Sequence, residues 1–311
     1  MWFNWILAAA FLLLGAYQFW ILPAWLLPMD RLWGYTLIPI AMLSNTYWAL
    51  LHDTFHGSFH HSTRANVVAG RTLAIFFGAP FYLLRIGHLL HHGYNRTEQE
   101  RIEVYDDARV GRLRAALAYY WQLLGGLYAL EFASVLVFLL PRRMILSLVR
   151  TLADNKSLLP LIAANLTKPH ILGGLRMDSA LILLVLGTSL WTYGEHLWML
   201  LLALGLRGFL ISFADYVYHY GTPLDDSSSG RNLWLPKPLS VLLLHFNLHG
   251  VHHGQPQVGW QGLPGTFPQS GQPYSGAMLP ALLRQLCGPI PLSRLAPAAI
   301  AAQLQPHSKD A

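Results

Sequence analysis

A single cysteine, Cys287, stands in 311 residues, which excludes an intrachain disulfide framework and any thiolate metal site of the zinc-finger or iron–sulfur kind. A bound metal must be held by nitrogen and oxygen. Charge is scarce too. Only 12% of residues are charged against 54% apolar, and mean hydropathy is +0.37, a membrane composition rather than that of a soluble domain. The 21 Lys and Arg outnumber 15 Asp and Glu, but they lie scattered between apolar runs and never form a stripe with interleaved aromatics. That argues against nucleic acid as a partner and leaves anionic lipid as the counter-charge. No internal repeat is evident, and no remaining stretch is long enough for a fused haem or flavin domain. The first apolar run lacks the basic start of a signal peptide and outlasts its core, so it reads as a retained transmembrane helix.

Four stretches, about 2–22, 32–51, 179–194 with its flanks, and 197–219, are apolar enough to cross ~30 Å of hydrocarbon, which takes ~20 helical residues. The loops after the first and third of these carry almost no Lys or Arg, so the positive-inside rule turns both outward. Two further runs, Ala69–Leu84 and Ala115–Leu140, are broken by Gly78-Ala79-Pro80 and by Gly125-Gly126. If the second crossed alone, the histidine-rich segments would fall on opposite faces. Parity therefore makes both runs re-entrant or interfacial. The expected fold is all-α and integral to the membrane: one domain over 1–311, built of two transmembrane helical hairpins, an interfacial insert at about 65–178, and a cytoplasmic part at 221–311. The Pro-, Gly- and Gln-rich stretch 254–272 reads as an irregular cap.

Of the 15 His, most gather at a few points. His52 and His56, four apart, share one helix face and can point at one ion. His88, His91 and His92, and again His249, His252 and His253, form a second pattern. In it the first two share a face and the third is turned ~100° round the helix, so one short helix can serve two ions. Ionisable side chains against a bilayer are costly without a purpose. Imidazole alone admits Zn, Cu, Fe or Ni, and eight or nine are too many for one four-coordinate zinc. A His-rich metal transporter is the non-enzymatic alternative, but its ligands belong at mid-bilayer depth on broken helices, whereas these lie at span ends.

The pattern H-x-x-x-H, H-x-x-H-H, H-x-x-H-H, placed after the second span, on the insert and after the fourth span, resembles the membrane fatty acid desaturase superfamily over approximately Trp33 to Pro264. The stretch His52-Asp53-Thr54-Phe55-His56-Gly57-Ser58-Phe59-His60 is also similar to the first box of bacterial carotene hydroxylases, which share that superfamily. The resemblance implies two iron ions, with His52, His56, His88, His91, His92, His249, His252 and His253 as ligands. It adds His219 as a ninth, in the place where acyl-CoA desaturases carry one more His. One turn earlier those enzymes have an Asn that reaches a metal through water, and here stands Asp215. This carboxylate is a candidate catalytic group, as a ligand or a ligand's partner, and pairing with Arg207 is the alternative. Asp53 reads as orienting an imidazole. His60, His61 and His245 read as neighbours of the boxes, Asn247 as a hydrogen-bond partner of the third box, and His170, His196 and His307 as solvent-facing.

An unactivated methylene offers neither an acidic proton nor an electrophilic carbon, so it calls for iron with O2 as co-substrate. The implied activity is that of an oxidoreductase, O2-dependent desaturation of an acyl lipid, acyl carrier or free fatty acid. Carotenoid hydroxylation or ketolation and terminal-alkene formation are alternatives on the same site. Reducing equivalents must come from a separate donor such as a ferredoxin and its reductase, and the basic face with Arg142, Arg143 and Arg150 suits an acidic one. The expected location is a bacterial inner membrane, with the site on its cytoplasmic face. Trp33, Tyr47, Trp48, Trp191, Tyr216 and Tyr218 are candidate walls for the substrate, or packing and interface aromatics.

Overall fold

The computed structural model describes residues 1–153 and 157–295; His307 lies outside the described residues. Its helices are α1 (Trp2–Ala16, prolonged as a π-helix over Tyr17–Leu26), α2 (Leu37–Met42), α3 (Ser44–His56), α4 (Thr63–Phe77), α5 (Phe81–Tyr94), α6 (Arg112–Trp121) and α7 (Leu127–Val137). There follow α8 (Arg142–Leu152), α9 (Leu159–Leu166), α10 (Pro169–Tyr193), α11 (Leu197–Val217), α12 (Lys237–Leu242), α13 (His249–Gly254), α14 (Leu263–Gln269), α15 (Met278–Gln285) and α16 (Leu292–Leu295). The strands β1 (Val104–Tyr105), β2 (Leu233–Trp234), β3 (Gly276–Ala277) and β4 (Ile290–Pro291) form two parallel pairs, β1 with β4 and β2 with β3. The fold is all-α apart from these clasps.

Large apolar side chains face outward along the long helices, Trp191 being 85% exposed, Leu13 71% and Leu202 64%. Polar groups sit inside: Asn4, Gln18, Asp178 and Arg207 are all buried. Such an inverted arrangement suits lipid as the solvent, where interior polar groups look for partners within the protein. Length and composition qualify Trp2–Leu26, Arg112–Val137 and Pro169–Val217 as spanning helices, and the bent pair α4–α5 as a fourth. At 25 residues α10 is about 37 Å long, and it begins ten residues before the expected third span. The chain turns back at Gly194, whose φ of 49° and ψ of −124° break the helix. Val185, Tyr193, Leu200 and Ala203 then share one apolar cluster with Phe19 and Leu22, which sets α11 alongside α10 and α1.

Gly78 ends α4 at a φ of 96°, and Pro80 starts α5 with its ring-fixed φ of −67°. The two helices meet at 104°. At this bend Arg207 donates to the Phe76 and Phe77 carbonyls and to Gln18 Oε1, which satisfies helix-end carbonyls that have no partner within α4. Arg207 thus serves the bend and not Asp215. Arg71 clamps α4 to α10 through the fully buried Asp178, at 2.6 Å.

The α6–α7 run is kinked at Gly125, whose φ of 135° is open only to glycine. The Tyr119 and Tyr120 hydroxyls donate to the Gln285 and Leu286 carbonyls, and at the other end Arg176 donates to those of Phe138 and Leu140. Between them Tyr128 packs on Gly208, half-way along α11, where a methyl group would stand 3.2 Å from its ring. Both ends of this run therefore meet the end of the α10–α11 pair from which the histidines emerge.

Candidate metal centre

α3 presents His52 and His56 and stops directly afterwards, because Gly57 takes a φ of 78° and closes the helix on the Asp53 carbonyl. α5 brings His88, His91 and His92, the end of α11 brings His219, and α13 brings His249, His252 and His253. Their nitrogens converge in two groups, His52, His56, His88, His92 and His252 in one and His91, His219, His249 and His253 in the other, with the ligand atoms of each group within 4.8 Å of one another. All nine histidines singled out in the sequence are thus gathered.

The division within the boxes differs from the expected one. In both α5 and α13 the first and third histidines, four residues apart, serve one group and the middle one serves the other. On a helix, positions i+3 and i+4 lie on opposite sides of position i, ~60° one way and ~40° the other, so either neighbour can be its companion. Tertiary packing selects i+4. As a result α5 gives two nitrogens to the first group and one to the second, and α13 the reverse.

Within the first group His88 Nε2 stands 2.8 Å from that of His52, 2.9 Å from that of His56 and 3.0 Å from that of His92. In the second, His219 Nε2 is 3.0 Å from that of His249 and 3.2 Å from that of His91. A neutral Nε2 carries one hydrogen or one lone pair, so it cannot satisfy three others facing it. A cation can, and two nitrogens held at right angles ~2.1 Å from one ion stand ~3.0 Å apart. Burial first, and neighbouring imidazoles second, hold His249, His252 and His253 well below the ordinary imidazole range. They are neutral near pH 7, as ligands must be. The residues present therefore fit two metal ions.

The far nitrogens of several rings are anchored. Glu100 Oε1 lies 2.7 Å from His91 Nδ1, and the Ser229 and Ser227 carbonyls face His219 Nδ1 and His253 Nδ1, each at 3.2 Å. Such partners fix tautomer and ring orientation. Sequence reasoning missed all three. For Glu100 a carboxylate nine residues after His91 was the available signal, and for backbone carbonyls there was none. It also missed Arg96, buried with φ 66°, which pairs with Glu103 at 2.5 Å and donates to the Thr222 and Pro223 carbonyls. This knot ties the end of α5 to the chain leaving α11, and so joins His91 to His219.

Asp53 does not orient an imidazole: its carboxylate accepts from the Trp260 amide at 3.2 Å. Asn247 bonds Ser240 and the Leu233 carbonyl and so holds β2 in place of the third box. His60 Nδ1 accepts from the Ser62 amide and His245 Nδ1 pairs with Ser240; neither belongs to a group, nor does His61. His170 is exposed and His196 half-buried. The Asp215 carboxylate is in neither group. It stands one turn before His219 and borders two small cavities, one shared with His91 and His219, the other apolar.

A model of fatty acid desaturases matches residues 31–276. This chain belongs to the fatty acid desaturase family. The match takes in all nine histidines and most of the helical scaffold that carries them. No curated protein and no solved structure matches the chain. The desaturase family implies an oxidoreductase associated with the membrane and with lipid substrate, and it is known for iron use. The two His groups are where this desaturase-family chain can hold metal.

Proposed function

We propose that the chain is an O2-dependent di-iron desaturase of fatty acyl chains, and the observation that carries this reading is the convergence of nine imidazole nitrogens in groups of five and four. Two iron ions, when bound, supply reduction of dioxygen coupled to hydrogen removal from CH2–CH2, with two electrons and two protons taken up and CH=CH plus two waters formed. The protein's part is position. Glu100 holds the His91 ring, the 227–229 loop holds His219 and His253, and α3, α5 and α13 keep the groups side by side. The first-box sequence from His52 to His60 favours one second reading on the same site, hydroxylation of a carotenoid ring.

Electrons come from a separate protein. α8 rests Ile145 in an apolar cluster with Leu83 and Ile86 of α5 and exposes Arg142, Arg143 and Arg150, so a basic surface lies beside the second box. It is the proposed dock for an acidic, ferredoxin-like donor on the cytoplasmic side of a bacterial inner membrane. A cavity of about 430 Å³ elsewhere in the molecule is not the proposed substrate site. It is lined by Arg31, Gly34 and Met199, and Met199 lies about 30 Å along α11 from His219.

Purified protein should carry close to two iron atoms per chain by elemental analysis, and a host expressing it should gain an unsaturated acyl product by lipid profiling. Full activity with one zinc and no iron would overturn the proposal; a hydroxylated pigment in place of the alkene would move it to the second reading.

Asp215 is proposed to act on the second metal group, as a ligand or through a bound water. On that reading Asp215→Ala lowers activity or iron content about tenfold or more, while Asp215→Asn, which keeps an oxygen, retains part of both. Iron stoichiometry and product yield of the two variants decide it: mild and equal effects would reduce Asp215 to a packing role.

A further inference from the structure

The apolar cavity that Asp215 borders lies between α3, α11 and the loop after α12. Its walls include Trp48, Ile211, Ala214, Leu243 and Met278. Phe246 closes it on the side of the histidines. The Phe246 ring centroid is 5.0 Å from that of His52 and 6.3 Å from that of His252, both of the first group, and 4.9 Å from that of His249 of the second. It also meets Tyr218 edge-on at 5.5 Å, and Tyr218 stacks on His249 at 4.5 Å. Among the described residues no other wall of this cavity is recorded in ring contact with imidazoles of both groups.

Room is the second observation. The cavity measures about 30 Å³, enough for about two waters and far short of the several hundred Å³ of an ordinary ligand site. A chain can lie there only if a wall moves. Leu244 and His245, just before Phe246, hold φ of 49° and 56°, a region that residues with a Cβ seldom occupy, so this wall carries strain that a shift of the loop would release. On the lipid side the walls continue into exposed Leu239, Val241 and Leu242 of α12 and Leu279 and Leu283 of α15. An apolar chain can therefore reach the cavity sideways from the bilayer.

We infer that Phe246 is the movable stop between this cavity and the metal centre, and that its ring sets which methylene pair of an acyl chain comes to rest against the two His groups. The inference rests on the acyl-chain reading given above. A shift of the chain by a single carbon places a different C–H bond at the centre, so a ring touching both groups controls the position of oxidation by contact alone. Its role is specificity, with no part in bond making.

The test uses the full chain with metal bound, in a host whose lipids are profiled by mass spectrometry after derivatisation of the double bonds. With Phe246 the product has one position. Phe246→Ala is expected to spread it over neighbouring positions, with the parental isomer's share falling about twofold or more, and Phe246→Leu to give a smaller spread; iron content stays that of the parent. One unchanged position in an active Phe246→Ala protein overturns the inference. Should that variant fail to fold, a second measurement stands without turnover. Chelator-treated wild-type protein is irradiated with a palmitic acid analogue bearing a diazirine at its methyl end, and the labelled peptides are mapped. Labelling at Leu243, Phe246 or Met278, lost in Ala214→Trp, supports the stop, and labelling confined to other surfaces overturns it. Labelling of the cavity in a chain that forms no unsaturated product would refute the desaturase reading and leave the cavity as an acyl site.

Discussion

His56→Ala, His91→Ala and His252→Ala are each expected to reduce turnover below about one hundredth of the parental value, since losing even a hydrogen-bond partner of a ligand costs 10–100-fold. The three come from different helices, α3, α5 and α13, and His56 and His252 belong to the first group while His91 belongs to the second. Iron content should fall toward one per chain in each. The protein itself should still insert, because the imidazoles end at the metal centre and anchor no span. His170→Ala, at an exposed position on the first turn of α10, should be silent. Glu100→Gln, which keeps a hydrogen-bonding group at His91 Nδ1 but removes the charge, should fall between. Membrane-fraction expression, iron by elemental analysis and product yield are the measurements. Equal losses for all five variants at equal expression would show that packing was mistaken for ligation.

Glu103→Ala is expected to destabilise the protein by about 3–5 kcal/mol, because it leaves the Arg96 guanidinium buried without a counter-charge. Arg96 is among the largest fully buried side chains, and Glu103 additionally accepts from the Gly221 amide. The damage should concentrate on the second His group, since the knot spans the approach from His91 to His219. Detergent-solubilised protein would show a lowered thermal midpoint and preferential loss of one metal. The double replacement Arg96→Met with Glu103→Leu should recover part of the stability, though not the bonds to Thr222 and Pro223. A Glu103→Ala protein with an unchanged midpoint would mean that water reaches this pair.

The histidines were legible because box spacing is local: four residues on a helix face do not depend on what the helix packs against. Their partition between the groups was not, since i+3 and i+4 are equally available until α3, α5 and α13 are brought together. Asp53 was misread for the same reason, and the alternative that paired Asp215 with Arg207 fails on the same ground. Each has a plausible neighbour in sequence, but Asp53 is taken by Trp260, distant in the chain, and Arg207 by the bend after α4. The breaks at Gly78 and Gly125 were readable as breaks, because glycine marks where a backbone leaves the helix. How the α6–α7 run lies against α11 depends on Tyr128 meeting Gly208, a contact no periodicity encodes. Glu100 and the 227–229 carbonyls lay beyond reach because their role is assigned by the shape of a loop.

Both metal groups are completed by α13, yet their first members, His52 and His91, stand about two hundred and one hundred and sixty residues earlier. During synthesis, then, a nascent chain that has already placed its first five helices, α1 to α5, holds four imidazoles of the first group and one of the second. Neither set can close until residues 249–253 have emerged and docked. Iron offered to the growing chain would meet an open, under-ligated site, exchange freely and do harm as a loose redox metal. On the di-iron reading, this order of the sequence would delay metallation until the membrane scaffold is already assembled.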